Sequence, residues 1–185
     1  TRLNMVLWTR SSRPRRGMPD QMGLERHASF GISVYVLHPD SRGTVRIKGT
    51  DAIAAPEIRF NLFLSERDHM TVVKAARIAR HVASLPPLSD YVARENAPGA
   101  GVQSDADLIK FFRKAGRHNN HAVGTCKMGV DDMAVVDPRL RVKGVDGLRV
   151  IDASVMPRIV ASNTNASVIM IGDKGAALIL EDARG

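Results

Sequence analysis

The sequence predicts an α+β fold, because its β-rich runs and its helical patterns occupy separate stretches of the chain. Two β-rich runs come early, at residues 30–37 and 44–48. Two helical patterns with N-terminal capping residues follow, and a third helical pattern closes the sequence. With 185 residues, 44% of them hydrophobic, the chain is long enough to bury a core.

The two β-rich runs predict a hairpin. Residues 30–37 read FGISVYVL, and residues 44–48 alternate between polar and apolar side chains. Residues 38–43 (HPDSRG) lie between them and have the composition of a loop. The next stretch, residues 52–63, contains Pro56 and is predicted to be irregular chain with one short strand.

The first helix is predicted from its cap and its apolar periodicity. Ser65 is a good N-cap, and Pro86–Pro87 stops the helix. The apolar positions at helical spacing are Val72, Ala75, Ala76, Ala79, Val82 and Ala83. We expect the part of this face formed by Val72, Ala76 and Ala79 to be exposed unless a partner covers it.

A second helix and a long final helix are also predicted. Ser104 caps the second helix, which runs to Gly116. The chain then becomes rich in turns, and Leu140–Val142 and Leu148–Ile151 predict two short strands. The final helix is predicted from about Asn165 to Leu180.

The predicted final helix contains two glycines. Gly172 and Gly175 each lower helix stability by about 1 kcal/mol relative to alanine. We therefore expect another backbone to pack closely against this helix. We also expect its apolar side chains to be exposed unless a partner covers them.

The chain is strongly basic, with a formal net charge of +8. Its one dense basic run, Arg10–Arg16, is interpreted as a solvated loop or as an edge that faces another part of the protein. Aromatic residues make up 4%, and no helix-turn-helix, zinc-finger or RNA-binding pattern occurs, so nucleic-acid binding is not predicted. No apolar run reaches the roughly 18 residues that span a bilayer, so no membrane span is predicted. The single cysteine, Cys126, excludes an intrachain disulfide, and a cytoplasmic location is expected.

Residues 118–129 (HNNHAVGTCKMG) hold the densest cluster of polar groups. Histidine is the usual general base near neutral pH, so His118 and His121 are candidates, although both could be ordinary surface residues. Their His-x-x-His spacing is compatible with a metal site, but no adjacent glutamate or third histidine completes a ligand set, and no metal is predicted. Nothing in the sequence marks the Cys126 thiol as an activated nucleophile.

A second polar segment covers the start of the final helix. Residues 148–152 predict a strand that ends at Asp152, and Asn163, Thr164 and Asn165 precede the first helical turn. Amide groups at a helix N-terminus bind polar ligand groups. An ordinary capped helix has the same pattern, so this segment by itself leaves the function open.

Several motifs occur in order along the chain. They are P-x-S-R-G at 39–43, H-x-x-G-T-C-x-M-G at 121–129, V-D-P-x-L-R-V at 136–142, G-L-R-V-x-D-A-S-x-M-P at 147–157 and N-T-N at 163–165. In these motifs and their spacing, the chain resembles the C-terminal region of the glucose/methanol/choline (GMC) family of flavin oxidoreductases. The resemblance covers nearly everything from Leu37 onward.

The resemblance implies roles for individual residues. The position that matches His121 faces the flavin and acts as the base on the substrate hydroxyl, and the position that matches Asn163 is its partner. In this assignment a hydride moves from carbon to flavin N5 while the histidine takes the proton from oxygen. The residues implied to line the FAD are Asn120, Asp152, Ala153, Thr164, Asn165 and Ala166.

The resemblance also implies an antiparallel sheet with flanking helices. Residues 1–29 are then a basic lead-in loop, and residues 30–129 are a substrate-binding region that includes the histidine segment. Residues 130–185 complete a Rossmann-like FAD-binding domain. Because no G-x-G-x-x-G motif occurs, the N-terminal Rossmann half that binds the rest of FAD is expected on a partner polypeptide.

Two departures from the family pattern leave the choice of alcohol open. Ala122 stands where proline is common, and Asn120 stands where an aromatic residue is common. Asn119 and Asn120 therefore add hydrogen-bonding groups to the expected pocket. The sequence favours neither an oxidase nor a dehydrogenase, and a non-catalytic binding or interaction subunit remains an alternative.

Overall fold

The computed structural model describes residues 3–9, as backbone, and residues 30–184. The strands are β1 (Leu3–Thr9), β2 (Phe30–Val36), β3 (Thr44–Arg46) and β4 (Glu57–Arg59). The helices are α1 (Glu66–Ala83), α2 (Asp105–Ala115) and α3 (Asn165–Asp182), and 3₁₀ turns lie at Leu88–Tyr91 and Ala153–Val155. These helices and small antiparallel sheets match the predicted α+β class.

The described strands form two separate antiparallel pairs. β1 pairs with β2 along its whole length, and β3 pairs with β4. The predicted hairpin between residues 30–37 and 44–48 was therefore wrong, because each run pairs with a different strand. The short strand predicted within residues 52–63 is confirmed as β4.

The loop after β2 explains why β2 and β3 do not pair. Asp68 of α1 accepts hydrogen bonds from the backbone N–H groups of Asp40 and Ser41, each at 2.9 Å. The Ser41 hydroxyl donates to the same carboxylate and accepts from Leu64 N–H at 2.8 Å. These bonds hold the loop against the start of α1, so the chain does not turn back onto β2.

The lead-in predicted as a loop at residues 1–29 contains β1. The loop prediction was wrong for Leu3–Thr9, because pairing with β2 satisfies the backbone hydrogen-bonding groups of this stretch. The basic run Arg10–Arg16, interpreted above as a solvated loop, lies outside the described residues.

Both predicted N-caps are confirmed. Ser65 Oγ accepts a hydrogen bond from Asp68 N–H at 3.1 Å, and Ser104 Oγ accepts one from Asp107 N–H at 3.1 Å. α1 ends at Ala83, shortly before the proline pair that was predicted to stop it. Local signals were therefore sufficient to predict where these helices begin.

A first hydrophobic core, the helical core, lies between α1 and α2. Its buried side chains are Val73, Ala76 and Leu108, and Leu108 is fully buried. The α1 face that was expected to be exposed is covered instead, since Val72 and Ala76 are 2% and 6% exposed. The expectation was wrong at these two positions because β2 and α2 both contact α1.

A second hydrophobic core, the site core, joins α3 to the irregular chain before it. Its buried residues are Val136, Leu140, Val155, Met156, Ile171 and Leu178. The strands predicted at 140–142 and 148–151 are reduced to single bridges, which join Val142 to Val136 and Arg149 to Arg141.

α3 confirms the final predicted helix. Gly175 is buried against the side chain of Ile151, so its close neighbour is a side chain and not the expected backbone. A Cβ added at Gly172 would meet no atom of the described residues within 4 Å. The apolar side chains of Ile169, Met170, Ile179 and Leu180 are 46–65% exposed, as expected. In the described part of the chain, no helix combines the length and apolar character that crossing a membrane requires.

Candidate active site

The segment that contains the histidine motif is fixed to the turn before α3. Cys126 N–H donates a hydrogen bond to the Ser154 carbonyl at 3.0 Å, and Met128 N–H donates one to the Val155 carbonyl at 2.8 Å. These bonds join irregular chain to irregular chain without forming a regular sheet. Because His121 lies a few residues before the fixed segment, they also restrict its position relative to α3.

Gly124 permits this close approach. Its φ is +89°, in the left-handed region that residues with a side chain rarely adopt. A Cβ at this position would also lie 3.3 Å from the Met156 carbonyl oxygen. The positive φ therefore favours glycine between His121 and the hydrogen-bonded segment, and a Cβ would in addition require a small shift of the Met156 carbonyl.

Asp152 organises the turn that receives the histidine segment. Its carboxylate accepts hydrogen bonds from the Ser154 backbone N–H at 2.8 Å and from the Ser154 hydroxyl at 2.5 Å. Ala153 begins the 3₁₀ turn that follows. Asp152 and Ala153, two of the predicted cofactor-lining residues, are thus brought beside the histidine segment through Ser154.

His121 is half-buried, and its Nδ1 lies 2.8 Å from the hydroxyl oxygen of Thr164. Thr164 is 7% exposed and precedes the first residue of α3. The two residues are 43 positions apart in the sequence. Among the described residues, none forms a hydrogen bond with Nε2 of His121.

The contact between His121 and Thr164 was missed in the sequence. Thr164 was predicted to line the cofactor, and Asn163 was predicted to be the partner of the histidine. The side chain of Asn163 is exposed and forms no hydrogen bond with His121. A threonine at a helix start was the available signal, but its distance from His121 in sequence left the pairing undetermined.

His118 lies in a different environment from His121. Its ring stacks on Phe60, with ring centroids 4.3 Å apart and an interplanar angle of 9°. Its Nδ1 accepts a hydrogen bond from Asn120 N–H at 3.3 Å. Asn120 is exposed, and its φ of +57° lies in the left-handed region. The structure therefore distinguishes the two candidate histidines by their contacts.

The start of α3 offers hydrogen-bond donors without a side-chain acceptor. Thr164 makes no capping bond, and Asn165 and Ala166 are exposed. Free N–H groups at the positive end of a helix suit an electron-rich group such as the flavin edge that contains N1 and O2. The residues present therefore fit FAD.

Within residues 30–184, no cluster of three or more His, Cys, Asp or Glu side chains is arranged to hold a metal.

The opposite end of α3 is held by an ion-pair cluster. Arg139 and Arg149 both bind Asp182, and Arg139 also lies 3.2 Å from Glu181. The hydrogen bond from Arg139 has the largest effect on Asp182 and lowers its pKa below the ordinary value; burial opposes this effect, and the hydrogen bond from Arg149 adds to the lowering. Cations near a helix C-terminus also interact favourably with the helix dipole. The cluster fixes α3 against the chain that precedes it.

The sequence of the chain is similar to those of known oxidoreductases. Residues 39–172 match the family model described as GMC oxidoreductase. Over 150 residues, the chain is 47% identical to an oxygen-dependent choline dehydrogenase of Klebsiella pneumoniae and 45% identical to one of Escherichia coli. Each alignment covers 81% of this chain and 27% of the relative.

Solved structures of oxidases are similar in fold. Pyridoxine 4-oxidase from Mesorbium loti has a TM-score of 0.78 at 31% identity and covers 85% of this chain and 31% of its own. A fungal aryl-alcohol oxidase has a TM-score of 0.71 at 30% identity, over 83% of this chain and 26% of its own. Formate oxidase of Aspergillus oryzae has a TM-score of 0.81 at 26% identity, over 88% and 29%.

The fold and the site define a C-terminal domain of flavin-dependent oxidoreductases. The chain belongs to the GMC oxidoreductase family, and the resemblance in its motifs is thereby confirmed. FAD is the cofactor of this family. The chain spans about a quarter of the length of the curated relatives that it matches, 27% in each of those compared above.

Proposed function

We propose that this chain supplies the substrate base of a flavoenzyme that oxidises the CH–OH group of an alcohol. The observation that carries the proposal is the environment of His121. Its Nδ1 contacts Thr164, its Nε2 is free of described partners, and the start of α3 beside it is suited to FAD. The complete flavoenzyme is then this chain together with the Rossmann half that carries a G-x-G-x-x-G turn.

The proposed reaction divides the work between the cofactor and the protein. When bound, FAD would supply the acceptor for the hydride that leaves the alcohol carbon. Nε2 of His121 takes the proton from the hydroxyl oxygen, so the alcohol loses one hydride and one proton and becomes a carbonyl compound. Asn163 orients the hydroxyl. The free amides at the start of α3 stabilise the negative charge that develops beside them.

The same proposal assigns the remaining site residues and the partner. Asn120, Asp152, Ala153 and the first residues of α3 would line FAD. Residues 130–185 complete the Rossmann-like domain, and the Rossmann half packs on the apolar side chains that α3 exposes, such as Ile169 and Met170. The exposed apolar surface of α3 supports this arrangement.

The test is the rate of flavin reduction in the complete flavoenzyme, measured without oxygen. The substrates are choline, an aryl alcohol, pyridoxine and formate, which the names of the related proteins suggest. We expect His121→Ala to slow reduction by about 10²–10⁴-fold, as for a lost general base, with nearly normal FAD content. Asn163→Ala should have a smaller effect, since this residue accepts no proton.

The control is His118→Ala, which removes an imidazole three residues away. It should slow reduction much less, because its ring contacts Phe60 and the Asn120 amide. A wild-type rate in His121→Ala at every pH, together with a crippled His118→Ala, would show that the base is assigned wrongly. Reduction by formate and by none of the alcohols would show that the substrate class is wrong.

A further inference from the structure

Thr164 stands at the N-cap position of α3 but does not cap the helix. A threonine hydroxyl at this position usually accepts a hydrogen bond from an amide in the first turn. Such a cap requires extended backbone, and Ser65 and Ser104, which do cap their helices, have ψ angles of 147° and 154°. Thr164 instead has φ −78° and ψ −13°, and its hydroxyl makes no capping bond.

The hydroxyl of Thr164 contacts the imidazole of His121 instead. The distance from Oγ1 to Nδ1 is 2.8 Å, and Thr164 is 7% exposed, so water has little access to replace this contact. The lost cap corresponds to about 1 kcal/mol in a typical helix. The start of α3 is still closed by the hydrogen bond from Val168 N–H to the Thr164 carbonyl at 3.0 Å.

The direction of the Thr164–His121 hydrogen bond decides which ring nitrogen can act as the base. If the hydroxyl donates to Nδ1, the neutral ring carries its proton on Nε2 and cannot accept a second proton there. If Nδ1–H donates to the hydroxyl oxygen, Nε2 keeps a free lone pair. After proton transfer both ring nitrogens carry a hydrogen. Only in the second direction can Nδ1–H donate to the Thr164 hydroxyl both before and after the transfer.

We propose that Thr164 is a positioning residue for His121. Its hydroxyl oxygen accepts the hydrogen bond from Nδ1–H, holds the ring in one orientation and leaves Nε2 to take the substrate proton. This inference rests on the proposed function of His121 as the base. In this role the Thr164 side chain affects the reaction by orienting His121. The role is separate from the contact with FAD that the sequence predicts for Thr164.

The experiment compares Thr164→Val, Thr164→Ala and Thr164→Ser in the complete flavoenzyme. Valine keeps the branched shape and lacks the hydroxyl, whereas serine keeps the hydroxyl. We expect the valine and alanine variants to slow anaerobic flavin reduction by about 10- to 100-fold, by analogy with the loss of a partner that orients a metal-binding histidine. FAD content and KM should change little, and the serine variant should reduce its flavin at close to the wild-type rate.

A matched control is available in α1. Thr71 is 9% exposed, and its hydroxyl donates to the Arg67 carbonyl at 2.8 Å. Thr71→Val therefore also removes a threonine hydroxyl from a buried position. This hydroxyl bonds to a backbone carbonyl of its own helix and not to His121. We expect Thr71→Val to reduce its flavin at the wild-type rate, so that a slow Thr164→Val variant reflects the contact with His121.

The double variant His121→Ala/Thr164→Val separates this inference from the proposed function. If Thr164 acts through His121, the double variant is no slower than His121→Ala. Additive losses, a serine variant as slow as valine, or wild-type rates in valine and alanine would overturn the positioning role. Loss of FAD from both Thr164→Val and Thr164→Ala would also overturn the positioning role, since the Thr164 hydroxyl would then serve to hold the cofactor. A wild-type rate in His121→Ala would instead overturn the proposed function.

Discussion

The helical region, residues 30–115, and the site region, residues 121–184, are held together in different ways. In the helical region, two capped helices bury Leu108 in the helical core. The site region has one long helix and one 3₁₀ turn, and the rest is irregular chain joined by bonds such as that from Met128 N–H to the Val155 carbonyl.

The two regions differ in how their backbone N–H and C=O groups find hydrogen-bond partners. A helix satisfies its own backbone groups, so its stability depends mainly on the side chains that it buries. Irregular chain must find hydrogen-bond partners in distant segments, and it leaves some groups free to meet a ligand. In the site region, Nε2 of His121 lies on irregular chain and the first amides of α3 lie at a helix end, and neither has a hydrogen-bond partner among the described residues. Buried side chains therefore hold the helical region together, whereas long-range backbone bonds hold the site region, which contains the proposed site.

The largest effect that would sharpen this comparison is expected for Leu108→Ala. Leu108 is fully buried in the helical core, so the change should lower the free energy of unfolding by about 2–5 kcal/mol. Because Leu108 has no contact with the site core, flavin reduction by the folded variant should keep its wild-type rate. Denaturant unfolding and anaerobic reduction measure the two quantities.

Leu148→Ala is the control for Leu108→Ala, since Leu148 is 50% exposed. Its effect on unfolding should stay within about 0.5 kcal/mol. If Leu108→Ala slowed flavin reduction at temperatures where the variant is folded, the division into a helical region and a site region would be wrong.

A smaller loss of stability is expected for Asp68→Asn, which removes the charge that holds the loop after β2. Burial acts to raise the pKa of Asp68, but hydrogen bonds from the Ser41 hydroxyl and from the Asp40 and Ser41 amides outweigh it, and the pKa lies below its ordinary value. The substitution should lower the free energy of unfolding by about 1.5–3 kcal/mol at pH 7. In the variant, an NH₂ group takes the place of one carboxylate oxygen of residue 68. It then faces a donor of Asp40 or Ser41 that has lost its acceptor.

The same carboxylate predicts a pH dependence. Because its pKa is lower in the folded than in the unfolded chain, Asp68 stabilises the fold above its unfolded pKa of about 3.9. This contribution is lost as the pH falls below that value through the folded pKa. Unfolding measured below about pH 4 should therefore show a weaker pH dependence in Asp68→Asn. The exposed Asp132→Asn serves as the control, and an unchanged acid profile in Asp68→Asn would contradict the prediction.

The smallest effect is expected for Gly175→Ala in the site region. A methyl group at this position collides with the Ile151 side chain, so the melting temperature should fall, corresponding to about 1 kcal/mol or slightly more. Gly172→Ala is the matched control on the same helix, and it should be neutral or stabilising by up to about 1 kcal/mol. Equal effects at both positions would contradict the packing described here. A loss at Gly172 in the complete flavoenzyme alone would show that another chain packs closely there.

The helices were predictable because their signals are local. Ser65 and Ser104 lie next to the helices that they cap, and the apolar spacing of each helix extends over a few turns. Strand pairing was not predictable in the same way. The partner of β2 is β1, which lies in a stretch predicted as a loop, and the path of the chain after β2 depends on the contact between Ser41 and Asp68. The neighbour of Gly175 was also misjudged, because a bare helix position does not reveal whether a backbone or a side chain fills the space.

The sequence by itself determined the family and singled out His121, because the motif spacing is specific and is readable along the chain. Only the tertiary structure decided that the Nδ1 of this histidine meets Thr164, 43 residues away. That contact depends on the bonds that fix the Cys126 segment to the turn at Ser154, and on the non-capping backbone conformation of Thr164. A hydrogen bond requires two atoms to come within about 3 Å. Sequence patterns determine which groups are present, whereas the packing of irregular chain determines which of those groups come that close.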